Sequence, residues 1–81
     1  MIISAAQSRA ARALLAWSQD ELVSASKVTK STIANFESEK RQPYERTLVD
    51  IRRALEDAGV IFIEENGEGP GVRLRKNIDA E

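Results

Sequence analysis

The chain has 81 residues and a formal net charge of −1, with 12 Lys/Arg against 13 Asp/Glu, enough for one small domain and no more. It contains no cysteine and no histidine, which excludes disulfides and thiolate metal sites and removes the commonest metal ligand and general base. No apolar run approaches the length of a membrane span and no secretory leader is visible, so a soluble, cytoplasmic protein without cofactor or metal is expected.

The charge is unevenly spread. Residues 1–54 carry nine Lys/Arg against six Asp/Glu, and residues 55–81 carry three against seven. A mildly basic body with an acidic tail permits a polyanionic partner without requiring one. A core of this size is marginal in a monomer, which makes a homodimer the expectation.

The first element reads as a helix. Ser4 and Gln7 have capping-box spacing, and the run that follows is rich in Ala, Leu and Arg, all good helix formers. Ala6, Ala10, Ala13, Leu14 and Trp17 recur at helical spacing, so that stripe is expected to face the core, with Arg9 and Arg12 elsewhere on the surface. A second helix starts at once. Ser18 and Glu21 repeat the capping-box spacing, and Trp17 with Leu22 fits a hydrophobic staple. It is short, ending at Ser24, Ser26 and Lys27.

A third helix begins within a few residues, with Thr29 as N-cap and Val28 with Ile33 as a second staple. In "KVTKSTIANFESEKRQP" the candidates for a core are Val28, Ile33, Phe36 and Ala34. Lys30, Ser31, Thr32, Asn35 and Ser38 point outward. They are short or hydrogen-bonding rather than the Glu/Lys mix of an ordinary solvated face. A loop closed by Pro43 leads to a fourth helix, about Glu45 to Ala58, with Leu48, Ile51, Leu55 and Ala58 as its apolar stripe and Gly59 at the left-handed cap position.

The period then changes from helical to alternating. "VIFIEE" and "VRLRK" flank the turn-rich "NGEGPG", which predicts a β-hairpin with a six-residue loop over residues 60–76. Val60, Phe62, Val72 and Leu74 share one apolar face, and Ile61 and Ile63 lie on the other. An isolated two-stranded hairpin is marginal in water. These strands, with Ile61, Phe62, Ile63, Val72 and Leu74, are therefore expected to form a dimer interface, as a shared sheet. Residues 77–81 are expected to fray.

Two short helices joined by a tight turn, the second with a polar outer face, are the elements of a helix-turn-helix. In that arrangement the second helix enters the major groove and its first residues reach base edges. At this point "WSQDELVSASKVTKSTIANFESEKRQP" resembles the helix-turn-helix of phage-repressor-like (Cro/cI, Xre-type) transcriptional regulators, over roughly Ser8 to Gly59. The run "STIANFE" is the most specific part. The longer pattern, through "TLVDIRRALEDAGVIFI" and "NGEGPGVRLR", is similar to short bacterial members with a hairpin after the fourth helix.

The resemblance implies a mainly α, four-helix lambda-repressor-like domain over residues 1–59, with its motif at about 19–38, followed by the hairpin. It implies that Lys30, Ser31 and Asn35 read bases and that Gln19 clamps a phosphate at the start of the second helix. It places Thr32 and Ser38 near the sugar–phosphate backbone and makes Arg12 and Glu37 a structural, partly buried pair. Lys27 stands where the family has Gly, at a turn position favouring positive φ, with an expected strain of about 1 kcal/mol. Val23 stands where Ala is usual, between the two motif helices.

Other residues read from chemistry. Lys40 and Arg41 follow the third helix, where phosphate contacts are geometrically natural. Arg52 and Arg53 read as a solvated helix face. Trp17, Ile33, Phe36, Leu48 and Ile51 read as core. Asn35 can pair bidentately with adenine, and Lys30 can donate to guanine O6/N7.

The function expected is a sequence-specific DNA-binding transcriptional regulator, a homodimer on an inverted-repeat operator of double-stranded DNA, repressing or recruiting by occupancy and open to autoregulation. A second reading keeps the fold and changes the partner: a protein-binding module, such as an antitoxin or antiactivator, for which the acidic last third and the apolar hairpin would suit. Enzyme function is not expected, since no His or Cys is present and no segment suggests a pocket.

Overall fold

The computed structural model describes residues 1–76. Four helices run in chain order, α1 (Ala5–Leu15), α2 (Gln19–Ser26), α3 (Lys30–Glu37) and α4 (Glu45–Asp57), followed by strands β1 (Val60–Ile63) and β2 (Gly71–Leu74). The expected tail at 77–81 lies outside the described residues. Among the described residues no helix is long and apolar enough to cross a membrane.

Local chemistry sets the helix starts. The Gln7 N–H donates to Ser4 Oγ at 3.1 Å while the Ser4 N–H donates to Gln7 Oε1 at 2.9 Å. Ser18 and Glu21 make the same reciprocal pair at 3.1 and 2.7 Å. Thr29 Oγ1 caps α3 by accepting the Thr32 N–H. Each pair satisfies backbone donors that a helix start leaves unpaired.

The ends of α1, α2 and α3 share a device. Ala16, Lys27 and Glu39 take φ of 57°, 64° and 64°, reversing the chain in the left-handed region that normally favours Gly. After α3 the Glu39 N–H bonds the Phe36 carbonyl and the Lys40 N–H the Asn35 carbonyl, the paired closure of a Schellman turn. Gly59, at φ 115°, turns the chain out of α4, as the sequence predicts.

The core gathers one stripe from every element. Leu22, Val28, Ile33, Phe36, Leu48, Ile51, Leu55 and Val60 are all buried, with Trp17, Val23, Phe62 and Val72 packed against them. On α1 the structure differs from the expected stripe. Ala6, Ala10, Ala13 and Leu14 are exposed, and the inward residues are Ala5, Gln7, Ser8 and Ala11. The helix is rotated because its polar residues have buried partners: Ser8 and Arg12 both bond Glu37, so turning them inward leaves no orphaned group.

The hairpin is antiparallel, with Val60 opposite Leu74, Ile61 opposite Arg73, Phe62 opposite Val72 and Ile63 opposite Gly71. Its faces are those expected, but the strands are shorter and the connection runs from Glu64 to Pro70. Glu65 does not extend β1 because its carboxylate accepts the N–H groups of Gly67 and Gly69, at 2.8 and 3.1 Å. Gln7 fastens the hairpin to α1: its Nε2 donates to the carbonyls of Gly71 at 3.0 Å and Ile63 at 3.3 Å. One side chain thus caps a helix and bridges the two strands.

Candidate nucleic-acid interface

The surface at issue is the outer side of α3 with the turns on either side of it. Its placement begins with Ser26, a buried residue at the end of α2. Ser26 Oγ donates to the Leu22 carbonyl at 2.7 Å and accepts the Val28 N–H at 3.2 Å. With Lys27 in the left-handed region, this fixes the turn between α2 and α3. Val28, Ile33 and Phe36 then bury the inner side of α3.

The outer side is polar and short. Lys30, Ser31 and Ser38 are exposed, and Thr32 and Asn35 are half-buried. Ser31, Asn35 and Ser38 follow one another at helical spacing, so they lie along one stripe. The Asn35 carbonyl accepts the N–H groups of Lys40 and Arg41, at 2.8 and 3.2 Å. Ser38 Oγ donates to the same carbonyl at 3.3 Å. The loop carrying both cations is therefore folded against the end of α3, with their side chains exposed.

Two expected DNA contacts carry partners of their own. Lys30 Nζ lies 2.7 Å from Asp20 Oδ1, in the first turn of α2. Gln19 Nε2 donates to Glu37 Oε1 at 3.0 Å, so one end of that side chain is held by the interior.

Glu37 is the centre that ties this surface to α1. Its carboxylate receives Ser8 Oγ at 2.6 Å, Arg12 Nη2 at 2.7 Å and Gln19 Nε2 at 3.0 Å. Its backbone carbonyl receives Arg9 Nη1. Arg12 also donates to the Trp17 carbonyl at 3.0 Å. Burial by itself raises the Glu37 pKa. The hydrogen bonds from Arg12, Ser8 and Gln19, with the Arg12 charge, outweigh it and hold the group below its ordinary 4.5. The expected structural pair of Arg12 and Glu37 is present and is part of a larger cluster.

Tyr44 is not among the residues expected at this surface. It stands at the N-cap of α4 without capping it and is 88% exposed. With Thr32, Arg41, Gln42, Pro43 and Thr47 it borders a hollow of about 350 Å³ beside α3. A signal was available: Tyr fills a position where Ser, Thr, Asp or Asn is preferred, and such departures from a local rule concentrate at functional surfaces. Arg52 also departs from expectation. It is half-buried, donating to the Met1 carbonyl at 2.7 Å and lying 3.5 Å from Glu56, so it ties the chain start to α4. Arg53 is exposed.

Of the hairpin residues expected at an interface, Phe62 and Val72 pack on the core. Ile61 and Ile63 are half-buried on the opposite face, and Leu74 is exposed. No protein-family model matches the chain, and no curated protein matches it.

Proposed function

We propose that the chain is a sequence-specific, double-stranded-DNA-binding transcriptional regulator of the phage-repressor-like helix-turn-helix kind, acting in the cytoplasm as a homodimer on an inverted-repeat operator. In this reading α2 and α3 are the motif helices and α3 is the recognition helix. The observation that carries the reading is the outer side of α3. It offers Lys30, Ser31, Thr32 and Asn35, while its inner side is wholly committed to the core.

The dimensions support it. An α-helix with its side chains is about 10–12 Å across, comparable with the roughly 12 Å width of the major groove that α3 would enter. Lys30, Ser31 and Asn35 are assigned to bases, and Gln19, Thr32, Ser38, Lys40 and Arg41 to the backbone. Tyr44, beside Thr32 and Arg41, joins the backbone group. The half-buried Ile61 and Ile63 on the outer face of the hairpin, and the exposed Leu74 at the end of the other face, are assigned to the second copy.

The test is fluorescence anisotropy with the duplex upstream of the protein's own gene and with an unrelated duplex, at two salt concentrations. Tight, salt-sensitive binding to the upstream site alone, lost in Asn35→Ala, is the expected result. Equal weak binding to both rejects it and favours the second reading, a protein-binding module of antitoxin or antiactivator type. The exposed acids of the hairpin connection, Glu64, Glu65 and Glu68, are what would suit that partner.

A further inference from the structure

The ion pair between Asp20 and Lys30 joins the two helices at the surface assigned to DNA. The Nζ–Oδ1 distance is 2.7 Å, and the side chains are 77% and 55% exposed. Pairs this open to solvent contribute little to stability. The position is also electrostatically awkward. Lys30 is the first residue of α3, where the helix dipole disfavours a cation, and a carboxylate on a DNA-facing surface repels phosphates. The neighbours of Asp20 do not share its situation. Glu21 is spent on the Ser18 N–H and Gln19 on Glu37. Asp20 is the first-turn acid of α2 that reaches across to α3.

A donor and an acceptor held side by side match one base pair in the major groove better than the others. Guanine presents two adjacent acceptors, N7 and O6, and its partner cytosine presents the N4–H donor next to them. Lysine suits the former and aspartate the latter. An A·T pair interrupts its acceptors with the adenine N6–H donor, so the order no longer fits.

Resting on the DNA-binding reading, we propose that Asp20 is a specificity-determining residue. It holds Lys30 on the acceptor edge of a guanine, accepts from the paired cytosine, and lowers affinity for every other duplex by its charge. Lys30 alone would be a general phosphate and guanine binder. The pair converts it into a reader of a single G·C pair.

The test uses the full chain and a site enriched by the wild type from randomised duplexes. Every position of that site is then substituted in turn. For the wild type, one G·C position should discriminate by about 5- to 150-fold, the range of one good base contact. Asp20→Asn and Lys30→Ala should both flatten that same position and leave the others intact. Asp20→Asn should also tighten binding to an unrelated duplex and steepen the salt dependence, while Lys30→Ala should make it shallower. Unchanged melting curves will show that both variants fold. If the wild type binds specifically and Asp20→Asn keeps its profile, or flattens a position other than that of Lys30→Ala, the pair assignment is overturned alone. If the wild type enriches no site, the DNA-binding reading falls and takes this inference with it.

Discussion

Arg12 and Glu37 stand 25 residues apart in the chain and meet as a fork: Nη2 lies 2.7 Å from Oε1, and Nε reaches the two carboxylate oxygens at 3.0 and 3.1 Å. The carboxylate side is 3% exposed and the guanidinium side 19%, so the Glu37 charge cannot fall back on bulk water. Replacing Arg12 by Ala strands Glu37 inside. The expected loss is about 3–5 kcal/mol, the cost of an uncompensated buried charge. Urea denaturation of Arg12→Ala against wild type measures it. A loss below about 1 kcal/mol would mean the pair behaves like an exposed one.

The same cluster gives the protein an acid-sensitive element. The folded-state pKa of Glu37 is lowered from 4.5. Its contribution is therefore fully present above about pH 4.5 and is lost as pH falls through the lower folded value. Glu37→Gln removes the titrating group, so it should be less stable than wild type at pH 7 but lose less on acidification. Melting temperatures of both proteins at several pH values between 7 and 3 check the sign. Parallel curves would mean that Glu37 does not titrate differently in the folded state.

Much of the fold was legible because its signals are local. The caps at Ser4, Ser18 and Thr29 and the stripe of α4 depend on residues three or four apart; the positive φ at Lys27 was implied by the resemblance, which has Gly at that turn position. What stayed hidden depends on distant partners. The inward face of α1 could not be seen from its own spacing, because Ser8 turns inward only through its bond to Glu37; the Arg12–Glu37 pair was implied by the resemblance alone. Gln7 reads as a capping residue, and its grip on carbonyls 56 and 64 positions away has no local signature. For the candidate site, the polar outer side of α3 was visible. The Asp20–Lys30 and Gln19–Glu37 pairings were not, since side chains on separate helices meet only after packing.

Three helices end on non-glycine residues in the left-handed region, and that strain should be removable. Glycine relieves about 1–2 kcal/mol per residue there, offset by about 0.4–1 kcal/mol of extra freedom in the unfolded chain. Lys27→Gly and Glu39→Gly should each stabilise by up to about 1 kcal/mol. Their side chains are exposed, so little packing is lost. Because the turns lie at opposite ends of α3, the double variant should show nearly additive gains in thermal melting. Destabilisation by either would show that the side chain itself makes a contact worth more than the backbone strain.

Gln7 offers a way to loosen the hairpin without touching its strands. In Gln7→Glu the shape is kept, but a donor facing the Ile63 and Gly71 carbonyls becomes an acceptor. The variant still offers an oxygen to the Ser4 N–H, so the α1 cap survives. The expected cost exceeds the about 1–3 kcal/mol of leaving buried polar groups unsatisfied, because the new carboxylate is also a buried charge facing two carbonyls. Amide hydrogen exchange should localise it, with protection falling across residues 60–74 and holding in α2 and α3. A uniform fall would mean that the hairpin and helices unfold as one unit.

The outer face of the hairpin separates oligomeric state from folding. Ile61 and Ile63 point away from the side on which Phe62 and Val72 pack on the core. The Arg75 N–H bonds the Gly59 carbonyl at 2.7 Å. By antiparallel alternation this makes Ile61–Arg73 and Ile63–Gly71 the hydrogen-bonded pairs. The N–H and C=O groups of Val60, Phe62, Val72 and Leu74 then turn to the two edges; Val60 is fully buried, so the exposed Leu74 marks the edge that can meet a second copy. If the homodimer forms there, Ile61→Lys with Ile63→Glu should yield a folded monomer. Neither change reaches the core, and the opposite charges leave the net charge unaltered. Sedimentation equilibrium should give twice the chain mass for wild type and one chain mass for the variant, with similar helical circular dichroism. A variant that remains dimeric would place the two-fold elsewhere. DNA affinity gives an independent reading, because a monomer binds one half-site and loses the second set of contacts. The variant should therefore bind the full operator weakly while keeping the same order of preference among half-site sequences, since α3 is untouched.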